Sequence, residues 1–282
     1  MFLLIQTLTL QLGNHNEKNA PNVESTLEIY YFDVGQGDST LIKQDDDYML
    51  IDAGNNEDGK KIVDYLKNNL HINNIDYLIG THSHEDHIGG IDNIIESFEI
   101  DNFYLPHENT LEKKSIQDVY KIAKEKDLQI TNPTIGSSFQ LGEAKCEIVF
   151  VDNNEPEEKN NSSIVLKMTF GNQTFLFSGD AEYDVESKLD VGKINIYKAG
   201  HHGSKSSSTA DFIKRIDPDY AIISVGPNND YNLPAPRVTN RLDEVCDKIY
   251  RTDLDGTIHL VSDGNATKFE CLKDICLDGN ER

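Results

Sequence analysis

"THSHEDHIGG", residues 81–90, places His82, His84, Asp86 and His87 within six positions. The apolar run "IDYLIG" (75–80) leads into it, and "IGGIDNIIESF" (88–98) follows with helical character. The stretch therefore reads as a strand, a loop and a helix start. In an extended segment residues two apart point the same way, so His82 and His84 project together and can share one metal ion. Asp86 and His87 fall where the chain turns toward the helix, and can face a second ion nearby. Imidazole and carboxylate suit zinc, manganese or iron. A lone histidine is normally a packing or surface residue, but packing does not explain this density.

One loop cannot complete two metal sites, so further ligands are expected at strand ends downstream. "FLFSGD" ends in Asp180, whose carboxylate is placed to bridge two ions. "IYKAGHH" ends in His201 and His202. "MLIDAG" ends in Asp52, which can orient the first histidines, because a ligating imidazole usually donates its other N–H to an acceptor. A strand-end aspartate by itself is more often a turn former; the signal lies in the combination and its order.

The rest of the chain alternates strand-like and helical runs. "TLEIYYFDV" (26–34), "STLIKQ" (39–44) and "YMLIDAG" (48–54) read as strands. "GKKIVDYLKNNL" (59–70) has helical apolar spacing at Ile62, Val63, Leu66 and Leu70. The strand "NFYLP" and a helix over about 109–127 come next. In the second half, "CEIVFV" (146–151) and "SSIVLKMTF" (162–170) are strands, and "GN" at 171–172 turns the chain into "QTFLFSGD" as a hairpin. The strand "KINIYKAG" (193–200), a helix, the strand "YAIISVG", another helix and a C-terminal strand pair follow. Both halves are strand-rich first and mixed later, which predicts two sheets packed face to face with helices outside.

Composition narrows the function classes. With 282 residues, 37% hydrophobic and 27% charged, the chain can bury a sizeable core. Lys plus Arg total 26 against 49 Asp plus Glu, a net charge of −23 that repels polyanions at long range. No stable nucleic-acid binding is expected from such a surface. The cysteines at 146, 246, 271 and 276 form no CxxC pair and read as free thiols, with a Cys271–Cys276 bridge as the alternative in an oxidising compartment. "MFLLIQTLTLQL" is shorter than the ~20 residues of a membrane span and lacks the features of a secretion signal. Residues 1–25 are read as a tail or remnant leader and residues 26–282 as the main domain, leaving both a cytoplasmic and an exported location open. A strand pairing with the sheet also fits the first residues.

With these motifs assembled, the chain resembles the metallo-β-lactamase fold superfamily. More narrowly, it resembles the hydrolase domain of the ComEC/Rec2 DNA-uptake proteins, standing alone without their transmembrane region. "FDVGQGDSTLI" (32–42), "IDAG", "THSHEDHIGG", "NNSSIVL", "FSGDAE", "KAGHHGSKSSS", "YAIISVG" and "YRTDLDGTIHL" carry the likeness, over about residues 27–270. The resemblance implies an α/β fold, a four-layer αββα sandwich, with a dinuclear centre of two divalent ions, zinc or manganese, and a bridging hydroxide. It implies that His82 and His84 hold one ion and Asp86 and His87 the other, with Asp180 bridging and either His201 or His202 finishing the second site. Asp86, His202 and Asn160 are the candidate catalytic residues. The superfamily often has a further histidine in the region of 153–165; this chain has none there, and Asn160 is a candidate weak oxygen ligand or a partner for bound water.

The expected function is a metal-dependent hydrolase, a phosphodiesterase or nuclease, with a phosphoester substrate. Lys198, Ser204 and Lys205 are candidate contacts for phosphate oxygens. The alternatives are an exported esterase acting on phosphorylcholine or other small esters, and a metal-binding protein without catalysis. Leu233 in "YNLPAP" (231–236) stands where the family often has a histidine, and Glu85 adds negative charge beside the metals. In "DVGQGDST", Gly35 and Gly37 permit a sharp turn, and Asp38 is read as a structural acceptor for nearby backbone.

Overall fold

The computed structural model describes residues 23, 25–108, 111–154 and 156–279. Apart from Val23 and Ser25, the expected tail lies outside the described residues. Six strands come first: β1 (Leu27–Tyr31), β2 (Thr40–Gln44), β3 (Asp47–Ile51), β4 (Asn74–Ile79), β5 (Glu99–Tyr104) and β6 (Ile130–Thr131). A second series follows: β7 (Ser138–Leu141), β8 (Ala144–Phe150), β9 (Val165–Phe170), β10 (Gln173–Phe177), β11 (Ile196–Lys198), β12 (Tyr220–Ile223) and β13 (Lys248–Arg251). The hairpin β14 (Thr257–Ser262) and β15 (Thr267–Leu272) then returns to the first sheet beside β1. The sheet orders are β15-β14-β1-β2-β3-β4-β5-β6 and β13-β12-β11-β10-β9-β8-β7.

In each sheet an antiparallel series leads into parallel strands, and the late hairpin β14–β15 adds an antiparallel pair beside β1. Alternation along the strands explains the layering. Leu27, Ile29, Tyr31 and Met49 face Phe170, Phe175, Phe177 and Ile196 between the sheets. Their neighbours Tyr30, Phe32 and Leu50 face outward and are covered by helices. Strands buried on both faces must be apolar on both, as these are.

The outer covering of the first sheet comes from α1 (Gly59–Asn68), α3 (Ile91–Ser97) and α4 (Lys114–Glu125), through Ile62, Leu66, Ile91, Ile94, Ile116 and Val119. Between α1 and α3 lies the single turn α2 (Glu85–Ile88). On the second sheet α5 (Tyr183–Glu186), α6 (Ala210–Ile216) and α7 (Pro236–Asp243) bury Val185, Phe212, Ile213, Val238 and Leu242. A last turn, α8 (Thr252–Asp255), leads into β14. The result is the expected four-layer αββα sandwich. The short edge strands β6, β7 and β13 were not foreseen, because two to four residues are too few to show alternation.

The helix expected over 88–98 is split into α2 and α3 at Gly89–Gly90. A side chain at Gly90 would collide with the carbonyl oxygen of Ala53 and lie 2.7 Å from the Gly59 Cα. The pair thus lets the histidine loop lie directly on residues 53–59, where Ala53 N donates to His87 O at 2.8 Å and Gly90 N donates to Gly54 O at 3.3 Å. Gly90→Ala is expected to cost about 1–3 kcal/mol through overpacking. Urea denaturation would show a lower midpoint with an unchanged slope.

Candidate metal centre

The parallel pairs β3–β4 and β10–β11 end at the same edge of the sandwich. Asp52 follows β3, His82 to His87 follow β4, Asp180 follows β10, and His201 and His202 follow β11. The carboxyl ends of parallel strands are the usual place for such a site, since the strands fan apart there and only loops remain.

Three sets of side chains bring ligand atoms within 4.8 Å of one another: His82, His84 and Asp180; Asp86, His87, Asp180 and His202; and the buried Asp38, Asp52 and His87. The first two are the candidate ion sites. Asp180 belongs to both. Its Oδ1 lies 3.2 Å from His87 Nε2, yet both atoms are buried and neither has a hydrogen-bond partner. Leaving two polar atoms facing each other unsatisfied is costly unless a cation lies between their lone pairs. The donor set of imidazoles and carboxylates fits a divalent ion in each group.

The surrounding charges agree. Burial and the neighbouring His87 hold the His82 imidazole well below its ordinary value, so its lone pair is available. Burial alone would lower His202 too, but the Asp180 and Asp38 carboxylates outweigh it and push the group up to about 10. Burial would raise Asp180, yet His87 and His202 beside it hold its carboxyl well below the usual range. The pocket is built to hold positive charge.

Outer contacts orient the imidazoles. Asp52, expected to orient the histidines of the first cluster, accepts from His87 Nδ1 at 2.8 Å and from the Thr81 hydroxyl at 2.8 Å. The physical reason is the register: Asp52 N bonds to Ile79 O, which puts its side chain under the far end of the loop. His202 Nδ1 donates to the Ser224 carbonyl at 3.0 Å, and its Nε2 lies 3.2 Å from Asp86 Oδ2. His201 stands apart from both ligand sets, with Nδ1 on Glu182 at 3.1 Å. Asn160 is 5% exposed, its amide nitrogen 3.4 Å from Glu182 and its Oδ1 without a partner.

The three expected phosphate contacts are not gathered at the site. Lys198 is buried and its ammonium bonds to Asp38 at 2.5 Å, because β11 points it inward between the sheets. Ser204 bonds to the Ser206 hydroxyl, and neither it nor the exposed Lys205 lines the cavity over the ligands. Asp38, expected as an acceptor for nearby backbone, instead takes Lys198 on Oδ2, and its Oδ1 lies 3.4 Å from His202 Nδ1. Asp38 and Lys198 come from different sheets, so their ion pair ties the sheets together directly beneath the ligands.

A cavity of about 960 Å³ opens onto His84, Asp86, Asp180, His201 and His202. Its walls include Gln36, Glu57, Glu85, Asp278, Tyr231 and Leu233. Lys113 is the only lysine or arginine among the described residues lining it. Sequence reasoning missed Lys113, Tyr231 and Asp278, which sit in loops with no pattern to mark them. Cys146, Cys246 and Cys271 are free thiols.

The model for the metallo-beta-lactamase superfamily matches residues 32–226. The chain belongs to this superfamily. The superfamily is hydrolytic, and its fold typically binds divalent metals, often two. Among curated proteins, the chain is 30% identical over 259 residues to ComE operon protein 3 of Bacillus subtilis, spanning 84% of this chain and 33% of that protein. It is 27% identical over 242 residues to Recombination protein 2 of Haemophilus influenzae, spanning 83% and 29%. The chain thus spans about a third of the length of these relatives. The metallo-beta-lactamase fold protein YhfI from Bacillus subtilis superposes with a TM-score of 0.59 at 11% identity, over 85% of this chain and all of that one. No helix among the described residues is long and apolar enough to cross a membrane.

Two outcomes test the site. Removing Lys198 by Lys198→Met strands the buried Asp38 charge, and stability measured by urea unfolding should fall by about 3–5 kcal/mol. Chelation should lower thermal stability: each ion held at ~100-fold above Kd stabilises by about 2.7 kcal/mol. That corresponds to about 5–10 °C in Tm per ion for a domain of this size, read by scanning calorimetry and restored by Zn²⁺ or Mn²⁺.

Proposed function

We propose that the chain is a metal-dependent phosphodiesterase working with two divalent ions, zinc or manganese. The observation that carries this reading is the pair of ligand sets sharing Asp180 at the floor of an open cavity. His82, His84 and Asp180 would hold one ion; Asp86, His87, Asp180 and His202 would hold the other. Bound there, the ions would supply Lewis-acid stabilisation of charge on the phosphoryl oxygens and acidify water.

The protein groups perform the positioning. Asp52 and the Ser224 carbonyl each take one N–H of an imidazole and so aim the other nitrogen at the centre. Asp86, partly exposed at the cavity floor, lies where substrate meets the second set. Asn160 offers a buried, unpartnered oxygen as a weak ligand or a partner for water. The relative Recombination protein 2 is named for recombination, which favours a nucleic-acid phosphodiester. The carboxylates of Glu57, Glu85 and Asp278 on the cavity wall, and the net charge of −23, favour a short or single phosphodiester over a long polyanion.

The same wall supports a second reading, an esterase for a phosphodiester of a cationic alcohol such as choline. Tyr231, 71% exposed at the cavity, offers an aromatic face for a quaternary ammonium. Metal-stripped protein reloaded with Zn²⁺ or Mn²⁺ is expected to hydrolyse bis(p-nitrophenyl) phosphate. Asp86→Ala should lower kcat by on the order of 10²-fold or more, since even outer partners of metal ligands are worth ~10–100-fold. Faster turnover of p-nitrophenyl phosphorylcholine would select the second reading. Absence of turnover on either substrate with two ions bound would sink both and leave a metal-binding protein without catalysis.

A further inference from the structure

His202 completes the second ligand set, which leaves the first set one donor shorter. The adjacent His201 has no assigned part in either. We propose that His201, held by Glu182, is the fourth protein ligand of the first ion.

The hydrogen bonds on His201 decide which nitrogen is available. One oxygen of Glu182 lies 3.1 Å from His201 Nδ1 and accepts from the Ser206 hydroxyl at 2.7 Å. A carboxylate only accepts, so Nδ1 carries the proton and the lone pair is on Nε2. A carboxylate bonded to the far nitrogen of an imidazole is the usual support of a metal-binding histidine. His201 Nε2 lies 3.7 Å from Asp180 Oδ2. The same oxygen is 3.9 Å from His82 Nε2 and 3.6 Å from His202 Nε2. Asp180 Oδ2, shared by both sets, thus has His82 Nε2 of the first set, His202 Nε2 of the second and His201 Nε2 around it at nearly equal distances.

The backbone gives independent support. His201 and His202 are both left-handed, with φ of 49° and 52°. Two consecutive non-glycine residues in that region are unfavourable and persist only where the surroundings hold them. In extended chain, neighbouring side chains point to opposite faces. The left-handed turn brings both imidazoles to Asp180, and His201 N bonds to Gly179 O at 3.2 Å to hold it there. Residues 153–165 contain no histidine. Asn160, which occupies that region, turns its amide nitrogen toward Glu182 and His201, at 3.4 Å and 3.5 Å.

This inference rests on the two-ion part of the proposed function and not on the phosphoester substrate, so it is tested by metal binding alone. The full chain would be stripped, titrated with Zn²⁺ and Co²⁺, and its bound ions counted by mass spectrometry, with the visible spectrum of the Co²⁺ form recorded. Wild type should bind two ions; fewer would overturn the two-ion reading itself. His201→Ala should weaken one ion by at least ~10–100-fold and keep the other, and Glu182→Gln should weaken the same ion by about 10–100-fold. The altered Co²⁺ spectrum should match that of His84→Ala, not that of Asp86→Ala. Two ions bound with unchanged affinity in both variants would overturn the proposal, as would loss of the ion that Asp86→Ala loses. The ion retained by the second set reports folding, and Glu182→Gln carries the test if His201→Ala does not fold.

Discussion

Charge balance at the sheet edge constrains everything around it. The carboxylates of Asp38, Asp52, Asp86 and Asp180 converge on the imidazoles of His82, His87 and His202, and three of these four carboxylates are buried. In surroundings of low dielectric such a cluster is stable only with positive charge among its members. Lys198 answers Asp38. With the two divalent ions of the proposed centre bound, the three remaining carboxylates would leave a sum of one positive charge at the floor of the cavity. A chain of net charge −23 can in this way present a local site for an anion.

The fold delivers these groups by a single device used twice. In each sheet an antiparallel series leads into parallel strands, and the parallel strands end at the same edge. Candidate ligands follow β4 in one sheet and β10 and β11 in the other, so the site depends on both sheets and on their relative placement. The Asp38–Lys198 pair spans the same junction. The backbone bond from Asp38 N to Asp86 O at 3.0 Å joins that junction to the histidine loop. Packing between the sheets and orientation of the ligands are thus parts of one structure.

Electrostatics also separates the floor of the cavity from its wall. The floor gathers nitrogen and carboxylate donors around Asp180, while the wall carries Glu57, Glu85, Asp278 and Lys113. A phosphoryl group would be attracted to the first and a long polyanion turned away by the second. The proposed preference for short phosphodiesters, or for one with a cationic alcohol, follows from that contrast. Leu233 sits on the wall where the family resemblance leads one to look for a histidine, and gives it an apolar face.

By itself the sequence determined the two-sheet class, the helices α1 and α4 in outline, the β9–β10 hairpin and the candidate ligands. These are local signals: alternation, helical spacing, a Gly-Asn turn and closely spaced donors are legible because each depends on neighbours in the chain. The tertiary structure alone decided which donors meet. His202 joins Asp86 and His87, Asp52 serves His87, and Lys198 turns inward to Asp38, because β-sheet register and strand direction set where each side chain points. The role of Glu182 beside His201 was equally hidden, since the left-handed turn that aligns two adjacent histidines leaves no mark in composition or spacing.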